Sequence, residues 1–335
     1  MPHNNFKQQG VALITVLLIV AMATVLAVAM VKSQQSLLRR SGSVLSQDQA
    51  YLYTLGAEFF AKSVLLDDKE KDKNKNMPQD TLNETWAKKI PAFPVEGGFV
   101  QAQIEDMQGR FNLNNLLQDD GQVDMAAVAM YQRLLAALDI SPMLVSPVID
   151  WLDADNLPYD SDGAEEDWYL RLKPAYRAAN HSFVSITELS LLRGYTPEIV
   201  AKLQPYVCVL PKVTTINVNT APDAVLAAMT DSLTLNMAKD MVQNRPKEGY
   251  GSVDVFLQQA AFSNMPEQDR QNLTKLLGVS SQFFGVLAEA EIDNRRRVLK
   301  SVIAFDEEAN AYTITRDWSQ QWQANQQKNN TQKSN

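Results

Sequence analysis

The chain has 335 residues, of which 45% are hydrophobic and 21% are charged, a balance typical of a globular protein. Its formal net charge of -8 argues against a nucleic-acid partner, because neutralising phosphates requires a surplus of Lys and Arg. Cys208 is the only cysteine, and His3 and His181 are the only histidines. An intrachain disulfide is therefore excluded, and a zinc site or a His-based catalytic triad is disfavoured.

The first long element is an uncharged apolar segment from Val11 to Val31. Its residues rise about 1.5 Å each in a helix and together span roughly 30 Å, the thickness of a bilayer core. The apolar part of a cleaved secretory signal is shorter, about 7–15 residues. Large apolar side chains then recur at helical spacings, at Leu38, Leu45, Leu52, Leu55 and Phe59. We therefore predict one helix over residues 11–66, with its first half in the membrane and its amphipathic second half packed on a soluble domain.

A short polar leader with Lys7 precedes this segment and ends at Gly10. A basic leader that ends in Gly, followed by a membrane-length apolar segment and an amphipathic helix, resembles the type IV prepilins and the type II secretion pseudopilins. The resemblance implies that residues 1–10 are a prepilin leader, that prepilin peptidase cuts between Gly10 and Val11, and that Val11 is then N-methylated. It also implies a single-pass protein of the cell inner membrane with its C-terminal bulk in the periplasm. The flanking Lys and Arg residues do not set that orientation by themselves.

The fifth position after the implied cleavage holds Thr15, where most members of these families carry Glu. In the families, that Glu is thought to pair with the N-terminal amine of the neighbouring subunit, because a carboxylate in the membrane is costly unless it is paired. A subunit with no neighbour above it needs no such partner. The resemblance therefore implies that this chain occupies the tip of a fibre.

The soluble part contains a charged segment and several segments in which apolar and polar residues alternate. Residues 67–76 form a mixed charge run, which predicts a solvated loop. Alternation of apolar and polar residues at 100–105 and again at 111–114 predicts a β-hairpin, and alternation returns over 284–318. We therefore expect an α+β fold, in which a small antiparallel pseudopilin sheet from residues 97–118 and 283–318 is interrupted by a large all-helical domain over residues 119–282. The polar tail, residues 319–335, is predicted to be disordered.

The inserted helical domain and the missing Glu together resemble the general secretion pathway protein K family of minor pseudopilins. The stretches that carry the resemblance are Gly10–Thr15, Gly109–Asn115, Asp150–Asp155 with Gly163–Glu165 and Tyr169, and Ile216–Ala221. The resemblance implies that the protein is structural and is not an enzyme. Its implied partners are other minor pseudopilins at the pseudopilus tip, the major pseudopilin, prepilin peptidase and the inner membrane. Secreted substrate and the outer-membrane channel are further candidate partners.

The densest acidic cluster runs from Asp150 to Asp167. Crowded carboxylates repel one another unless a cation lies among them, and Ca²⁺ accepts about six to eight oxygen ligands in irregular geometry. The spacing does not match an EF-hand, so a solvated acidic loop remains an alternative, although the aromatic residues around it favour a loop folded onto the core. The family resemblance implies a structural calcium site here. We predict as ligands Asp153, Asp155, Asp162 and Glu165, with Asp160 and Glu166 as further candidates.

Residues 216–251 resemble the helix-hairpin-helix (SAM-like) modules of DNA-binding and competence proteins, which present backbone amides to a phosphate. The hairpin at 229–236 contains no Gly and carries Asp231, so we expect a packing or protein-contact unit instead. We interpret Asn217 and Asn219 as caps and turn formers.

The resulting hypothesis is a minor pseudopilin that caps the tip of the type II secretion pseudopilus, helping to initiate its assembly and protein export across the outer membrane. The inserted domain is broader than a pilin module, which supports a position at the tip. Two alternatives belong to other classes of protein. One is a membrane-anchored helix-hairpin-helix competence factor that binds DNA, and the other is a membrane-anchored hydrolase that uses two carboxylates of the acidic loop, as glycosidases do.

Overall fold

The computed structural model describes residues 9–73, 78–88 and 91–319. The predicted leader, apart from its last two residues, and the predicted disordered tail, apart from its first residue, lie outside these ranges. The helices are α1 (Gln9–Asp72), α2 (Met125–Ala137), α3 (Ser146–Leu152), α4 (Glu166–Tyr169), α5 (Pro197–Leu203), α6 (Asp223–Ala227), α7 (Leu235–Gln243), α8 (Val253–Leu257) and α9 (Glu267–Leu276). The strands are β1 (Phe93–Val95), β2 (Gly98–Asp106), β3 (Phe111–Asn112), β4 (Val207–Cys208), β5 (Ile216–Asn217), β6 (Leu277–Gly278), β7 (Phe283–Ile292), β8 (Arg295–Phe305) and β9 (Ala311–Asp317).

The predicted N-terminal helix is present as α1, which is continuous over 64 residues. At about 1.5 Å per residue it is roughly 95 Å long. It passes through Gly42 and Gly56, although an interior Gly costs about 0.5–1 kcal/mol relative to Ala. Neither glycine is needed for space, because an added Cβ would meet nothing within 4 Å.

The prediction of a solvated loop over residues 67–76 is wrong for residues 67–72, which are helical, while residues 74–76 lie outside the described ranges. The last turns of α1 do not project into solvent, because they pack against residues 78–88 and the sheet. Asp68 and Asp72 are accordingly buried, with 8% and 3% of their surfaces exposed. The charged residues therefore form the polar C-terminal turns of the helix and do not end it.

A five-stranded antiparallel sheet packs against the C-terminal half of α1, with strand order β1-β2-β7-β8-β9. The strand predicted from alternation at 284–292 is β7, which lies in the centre of the sheet. The core between helix and sheet is formed by Ala61, Leu65, Trp86, Ile104, Phe284, Val286, Leu299, Ile303 and Phe305, among others. The architecture is therefore a mixed α and β fold with a long N-terminal helix on an antiparallel sheet.

The predicted hairpin between residues 100–105 and 111–114 is wrong. β2 pairs with β1 and β7, whereas β3 pairs in parallel with β4. The chain leaves β2 through a 3-10 turn at Met107–Gly109, in which Asp106 Oδ1 accepts a hydrogen bond from the N–H of Gln108. Phe111 then enters the core of the inserted domain and stacks on Tyr131 at 5.3 Å between ring centroids. Residues 111–118 therefore belong to the insertion, whereas Met107 packs against Phe283 and Ala304 of the sheet.

The insertion between β2 and β7 has its own apolar core, which extends from Phe111 to Leu277. Helices supply most of that core, and α2 packs against α6 and α9. Two short parallel strand pairs, β3–β4 and β5–β6, also lie within it, so helices predominate among its regular elements but the domain is not all-helical. These pairs satisfy backbone groups where the chain enters and leaves the domain.

The insertion joins the sheet at the end farthest from the apolar half of α1. Ser46, nearer that apolar half, donates a hydrogen bond to Asp293 Oδ2 in the β7–β8 turn at 2.8 Å. Lys69, one turn from the C-terminal end of α1, lies 5.4 Å from the ring centroid of Phe284 at the beginning of β7. Because β7 begins where the insertion ends, the inserted domain lies beyond the distal end of the long helix.

A buried polar cluster connects the two domains at this junction. Asp106, at the end of β2, accepts hydrogen bonds at Oδ2 from Asn217 Nδ2 (3.0 Å), Thr220 Oγ1 (2.6 Å) and Ser281 Oγ (2.7 Å). Burial raises the pKa of Asp106, and the donors around the carboxylate oppose that rise. Asn217 also donates to the carbonyl of Asp80 at 3.0 Å, so one amide contacts both domains and the segment that follows α1.

Candidate functional site

Among the described residues, α1 is the helix long and apolar enough to cross a membrane, judged by length and composition. Its apolar residues from Val11 to Val31 are exposed. Gly10 and Val11, the predicted cleavage pair, lie in the first turns of the helix. The Thr15 hydroxyl donates to the carbonyl of Ala12 at 2.9 Å, so the side chain that replaces the usual Glu is satisfied within its own helix.

The second half of α1 has a buried face and an exposed face. The buried face carries mostly small or polar side chains, namely Ser46, Ala50, Thr54, Glu58, Ala61 and Leu65. The exposed face carries Leu38, Leu45, Leu52 and Phe59, which are 74%, 60%, 64% and 70% exposed. We call these four residues the heptad row. The predicted packing of the second half of α1 on the soluble domain is confirmed. The buried face makes this contact, and of the large apolar residues at helical spacing only Leu55 packs against the sheet core.

The acidic loop brings three carboxylates together. Asp150 lies in the last turn of α3, Asp153 follows the end of that helix, and Glu165 precedes α4. One carboxylate oxygen from each lies within 4.8 Å of the others. Asp153 Oδ1 and both Glu165 oxygens are buried without a hydrogen-bond partner among the described residues. Such an arrangement of oxygen ligands suits a hard divalent cation.

The backbone of the loop fixes Asp150. Its Oδ1 accepts from the N–H of Tyr159 at 2.7 Å, and its Oδ2 accepts from the N–H of Ala164 at 2.5 Å. The loop approaches so closely that a Cβ added at Gly163 would lie 2.2 Å from Asp150 Oδ2. Arg193 holds the same turn by donating to the carbonyl of Gly163 at 2.8 Å.

The electrostatics of the three carboxylates reflect burial and mutual repulsion. Burial, followed by the charges of Asp155 and Asp150, raises the pKa of Asp153 to about 6. Burial, followed by the charges of Asp150, Asp153 and Asp155, raises the pKa of Glu165 to about 7. Burial also raises the pKa of Asp150, although the two backbone donors oppose that rise. A bound cation would relieve this repulsion.

The other predicted ligands lie around this group. Asp155 is exposed and accepts from the N–H of Leu157 at 2.7 Å, while its charge acts on Asp153 and Glu165. Asp160 accepts from Ser146 Oγ at 2.7 Å and from the N–H of Asp162, which closes the loop.

Two predicted ligands, Asp162 and Glu166, are outside the group of three. Asp162 is half-buried, and Glu166 forms an ion pair with Arg177 at 3.0 Å. Asp150 was not among the predicted ligands. The signal for it is its position three residues before Asp153 at a helix end, a spacing that places both side chains on one face.

The aromatic residues flanking the loop anchor it to the core of the inserted domain. Trp151 and Tyr169 are buried and meet edge to face with ring centroids 5.4 Å apart. Tyr169 also contacts Trp168 and stacks on Tyr176. Trp151 Nε1 donates to Glu188 Oε2 at 3.1 Å. The loop therefore folds onto the core, as the aromatic residues indicated, rather than extending into solvent.

The predicted turn formers of the helix-hairpin-helix-like region have structural contacts. Asn217 Oδ1 accepts from the N–H of Asn219, and Asn219 exchanges hydrogen bonds with the backbone of Tyr250. In the hairpin between α6 and α7, Asp231 forms an ion pair with Arg133 at 2.6 Å. These contacts serve packing inside the domain.

Two family models described as type II secretion system (T2SS), protein K, match residues 109–212 and 216–280. The chain is 36% identical over 319 residues to type II secretion system protein K of Pseudomonas aeruginosa, covering 93% of each chain. It is 32% identical to type II secretion system protein K of Aeromonas hydrophila, covering 88% of this chain and 92% of that one. The fold is similar to a chain of the GspK-GspI-GspJ complex of the type 2 secretion system from enterotoxigenic Escherichia coli. That similarity has a TM-score of 0.74 and 26% identity, covering 83% of this chain and 98% of that chain.

Proposed function

Because this chain belongs to the type II secretion system protein K family, it is a minor pseudopilin, and we propose that it caps the tip of the pseudopilus and helps to initiate its assembly. The observation that carries the proposal is the position of the inserted domain. It joins the sheet near Lys69 and Phe284, beyond the end of α1 that lies away from the membrane segment. A bulky domain at that end would obstruct the addition of another subunit above it. The family is a structural component of the secretion apparatus and not a known enzyme.

The heptad row supports assembly through the long helix. Four large apolar side chains at seven-residue spacing form a stripe of the kind that packs against another helix. Leaving this stripe in water is unfavourable, by about 25 cal/mol for each Å² of apolar surface. The similar E. coli structure is a complex of GspK with GspI and GspJ. We propose that the heptad row of this chain contacts the corresponding minor pseudopilins, with the major pseudopilin below them.

Charge substitutions in the heptad row test this contact. In the full chain in detergent, we expect Leu45→Lys combined with Leu52→Lys to abolish co-purification with the other minor pseudopilins. The single variant Ser36→Lys adds a charge at an exposed position on the opposite side of the same helix and should leave co-purification intact. Retained co-purification of the double variant would contradict the contact, and loss with the control variant would show only a general effect of charge.

We propose that prepilin peptidase removes residues 1–10 and that Val11 is then N-methylated. The support is the position of Gly10 directly before the apolar half of α1 and the exposure of Val11. Intact-mass measurement and N-terminal fragmentation should find a chain that begins with methylated Val11. We expect Gly10→Val to retain the leader and Gly42→Val, a helical control, to be processed normally. A wild-type chain that retains Met1 would refute the proposal.

We propose an inner-membrane location with the C-terminal bulk in the periplasm. The single apolar helix among the described residues supports a single-pass anchor. A reporter enzyme that is active only in the periplasm, fused after the last residue, should be active in cells. The same fusion without residues 1–31 should be inactive, and activity without the segment would count against the anchor.

We also propose that the acidic loop binds one structural calcium ion, with Asp150, Asp153 and Glu165 as protein ligands and Asp155 beside them. The buried, unpartnered oxygens of Asp153 and Glu165 fit a hard cation. Calcium would neutralise the group and hold the loop against α3 and α4. Thermal melting with and without a chelator should show a lower melting temperature for the chelated wild type. The chelator should lower the melting temperature of Asp150→Asn by less than it lowers that of the wild type. An unchanged melting temperature of the wild type would refute the site.

A further inference from the structure

A second group of carboxylates lies outside the acidic loop, at the distal end of α1. Asp68 and Asp72 are one helical turn apart and face the segment 78–88, from which Glu84 meets them. One oxygen from each of the three residues lies within 4.8 Å of the others. Asp68 and Asp72 are more than nine-tenths buried. Three carboxylates at such distances repel one another strongly in a poorly hydrated site.

The side chains around the three carboxylates orient them as ligands of a bound ion are oriented. Asp68 Oδ2 is buried and has no hydrogen-bond partner among the described residues. Glu84 is oriented by two donors to its Oε2, the N–H of Thr81 and Trp86 Nε1, each at 2.9 Å. Trp86 is itself buried and meets Phe284 edge to face. Outer contacts of this kind are what orient carboxylate ligands in metal sites.

Two neighbouring lysines are engaged with other carboxylates. Lys69 Nζ lies 2.8 and 2.7 Å from the two oxygens of Asp80, and Lys71 pairs with Asp67 at 2.5 Å. The charge of Lys69 only partly offsets the burial and the neighbouring carboxylates Glu84, Asp72 and Asp80, which together raise the pKa of Asp68 to about 7. Burial and the neighbouring carboxylates therefore disfavour the negative charge of Asp68.

We propose that Asp68, Asp72 and Glu84 bind a divalent cation of the calcium class at a site separate from the acidic loop of the inserted domain. The ligand set is oxygen only, which favours calcium, magnesium or manganese over zinc. The ion joins the last turn of α1 to the segment 78–88. That segment carries Asp80, whose carbonyl accepts from Asn217 of the inserted domain. Cation binding therefore fixes the distal end of the helix to the junction of the two domains.

Calcium titration of the chelator-treated full chain in detergent tests the site. We expect Asp68→Asn combined with Glu84→Gln to bind one calcium ion fewer per chain than the wild type. Asp67→Asn, an exposed control in the same turn, should bind as many as the wild type. Asp150→Asn distinguishes this site from the acidic loop. Calcium that still binds to Asp150→Asn, and that no longer binds when Asp68→Asn and Glu84→Gln are added, is bound at the end of α1.

Terbium luminescence gives a second readout that depends on proximity to an indole. Trp86 contacts Glu84 and therefore lies beside the proposed site. Terbium added to the Asp150→Asn variant should show tryptophan-sensitised emission. This emission should disappear when Asp68→Asn is added to that variant. Far-UV circular dichroism of the variants checks that α1 and the sheet remain folded. Equal calcium stoichiometry in wild type and in the Asp68→Asn, Glu84→Gln variant would overturn the proposal. A stoichiometry that falls only with Asp150→Asn would likewise overturn it, while leaving the calcium site of the acidic loop intact.

Discussion

Replacing Asn217 with alanine removes the side chain that contacts both sides of the domain junction. Its Nδ2 lies 3.0 Å from Asp106 Oδ2, from the carbonyl of Asp80 and from Ser281 Oγ. Its Oδ1 accepts from the N–H of Asn219 at 3.0 Å. The side chain is fully buried, so water cannot replace these partners without opening the junction.

The size of the effect follows from the partners. An amide has two N–H donors, so it satisfies two of the three acceptors at once. A hydrogen bond to a charged group is worth about 1.5–3 kcal/mol, and a neutral one about 0.5–1.5 kcal/mol. Asn217→Ala removes the hydrogen bond to the Asp106 carboxylate, one hydrogen bond to a neutral acceptor and the hydrogen bond from the N–H of Asn219. The free energy of unfolding should therefore decrease by roughly 3–5 kcal/mol. For a protein of this size that corresponds to a decrease in melting temperature on the order of 10 °C.

Differential scanning calorimetry of the full chain in detergent measures this change. The matched control is Asn236→Ala on α7, where the side chain is exposed and the expected change is within about 0.5 kcal/mol. A separate, earlier transition for one domain in Asn217→Ala would show that the junction couples the two domains. Melting of Asn217→Ala within about 2 °C of Asn236→Ala would refute the role of Asn217 at the junction.

Three further predictions follow from burial and local space. The Cys208 thiol is fully buried and burial raises its pKa, so a maleimide should label it only after unfolding; labelling under native conditions would contradict the β3–β4 packing. Gly163→Ala places a methyl group 2.2 Å from Asp150 Oδ2 and should cost about 1–3 kcal/mol while weakening calcium binding, measured by melting with and without chelator. Gly56→Ala adds a methyl group in open space inside α1 and should instead stabilise the chain by about 0.5–1 kcal/mol.

Several features were predictable because their signals are local. The apolar run from Val11 to Val31 and the helical spacing after it predicted α1, since helix formation depends on residues a few positions apart. Alternation predicted β7 because side chains of a strand point to opposite faces in turn. The density of carboxylates after Asp150 indicated the acidic loop, and the flanking aromatic residues indicated that it folds onto the core.

Other features depend on residues that are distant in sequence. Phe111 alternates with polar neighbours as a hairpin strand would, yet β3 pairs with β4, whose residues follow it by almost a hundred positions. The periodicity of the heptad row indicated an amphipathic helix but not which face the sheet covers, because the sheet selects small side chains such as Ala50 and Ala61 for close approach. Sequence spacing also did not determine which carboxylates lie close together. Asp160 accepts a hydrogen bond from Ser146 within the loop, whereas the loop backbone holds Asp150 beside the other two carboxylates.

The sequence by itself determined the long helix, its membrane-length apolar half, the mixed α and β class and the family resemblance. These features rest on composition, period and short motifs, which act within a few residues. Only the tertiary structure decided that Asp68 and Asp72 are buried beside Glu84, that the heptad row is exposed, and that the inserted domain lies beyond the distal end of α1. Each of these depends on which surface of one element faces another, and that choice is made by burial of the whole core rather than by any single segment.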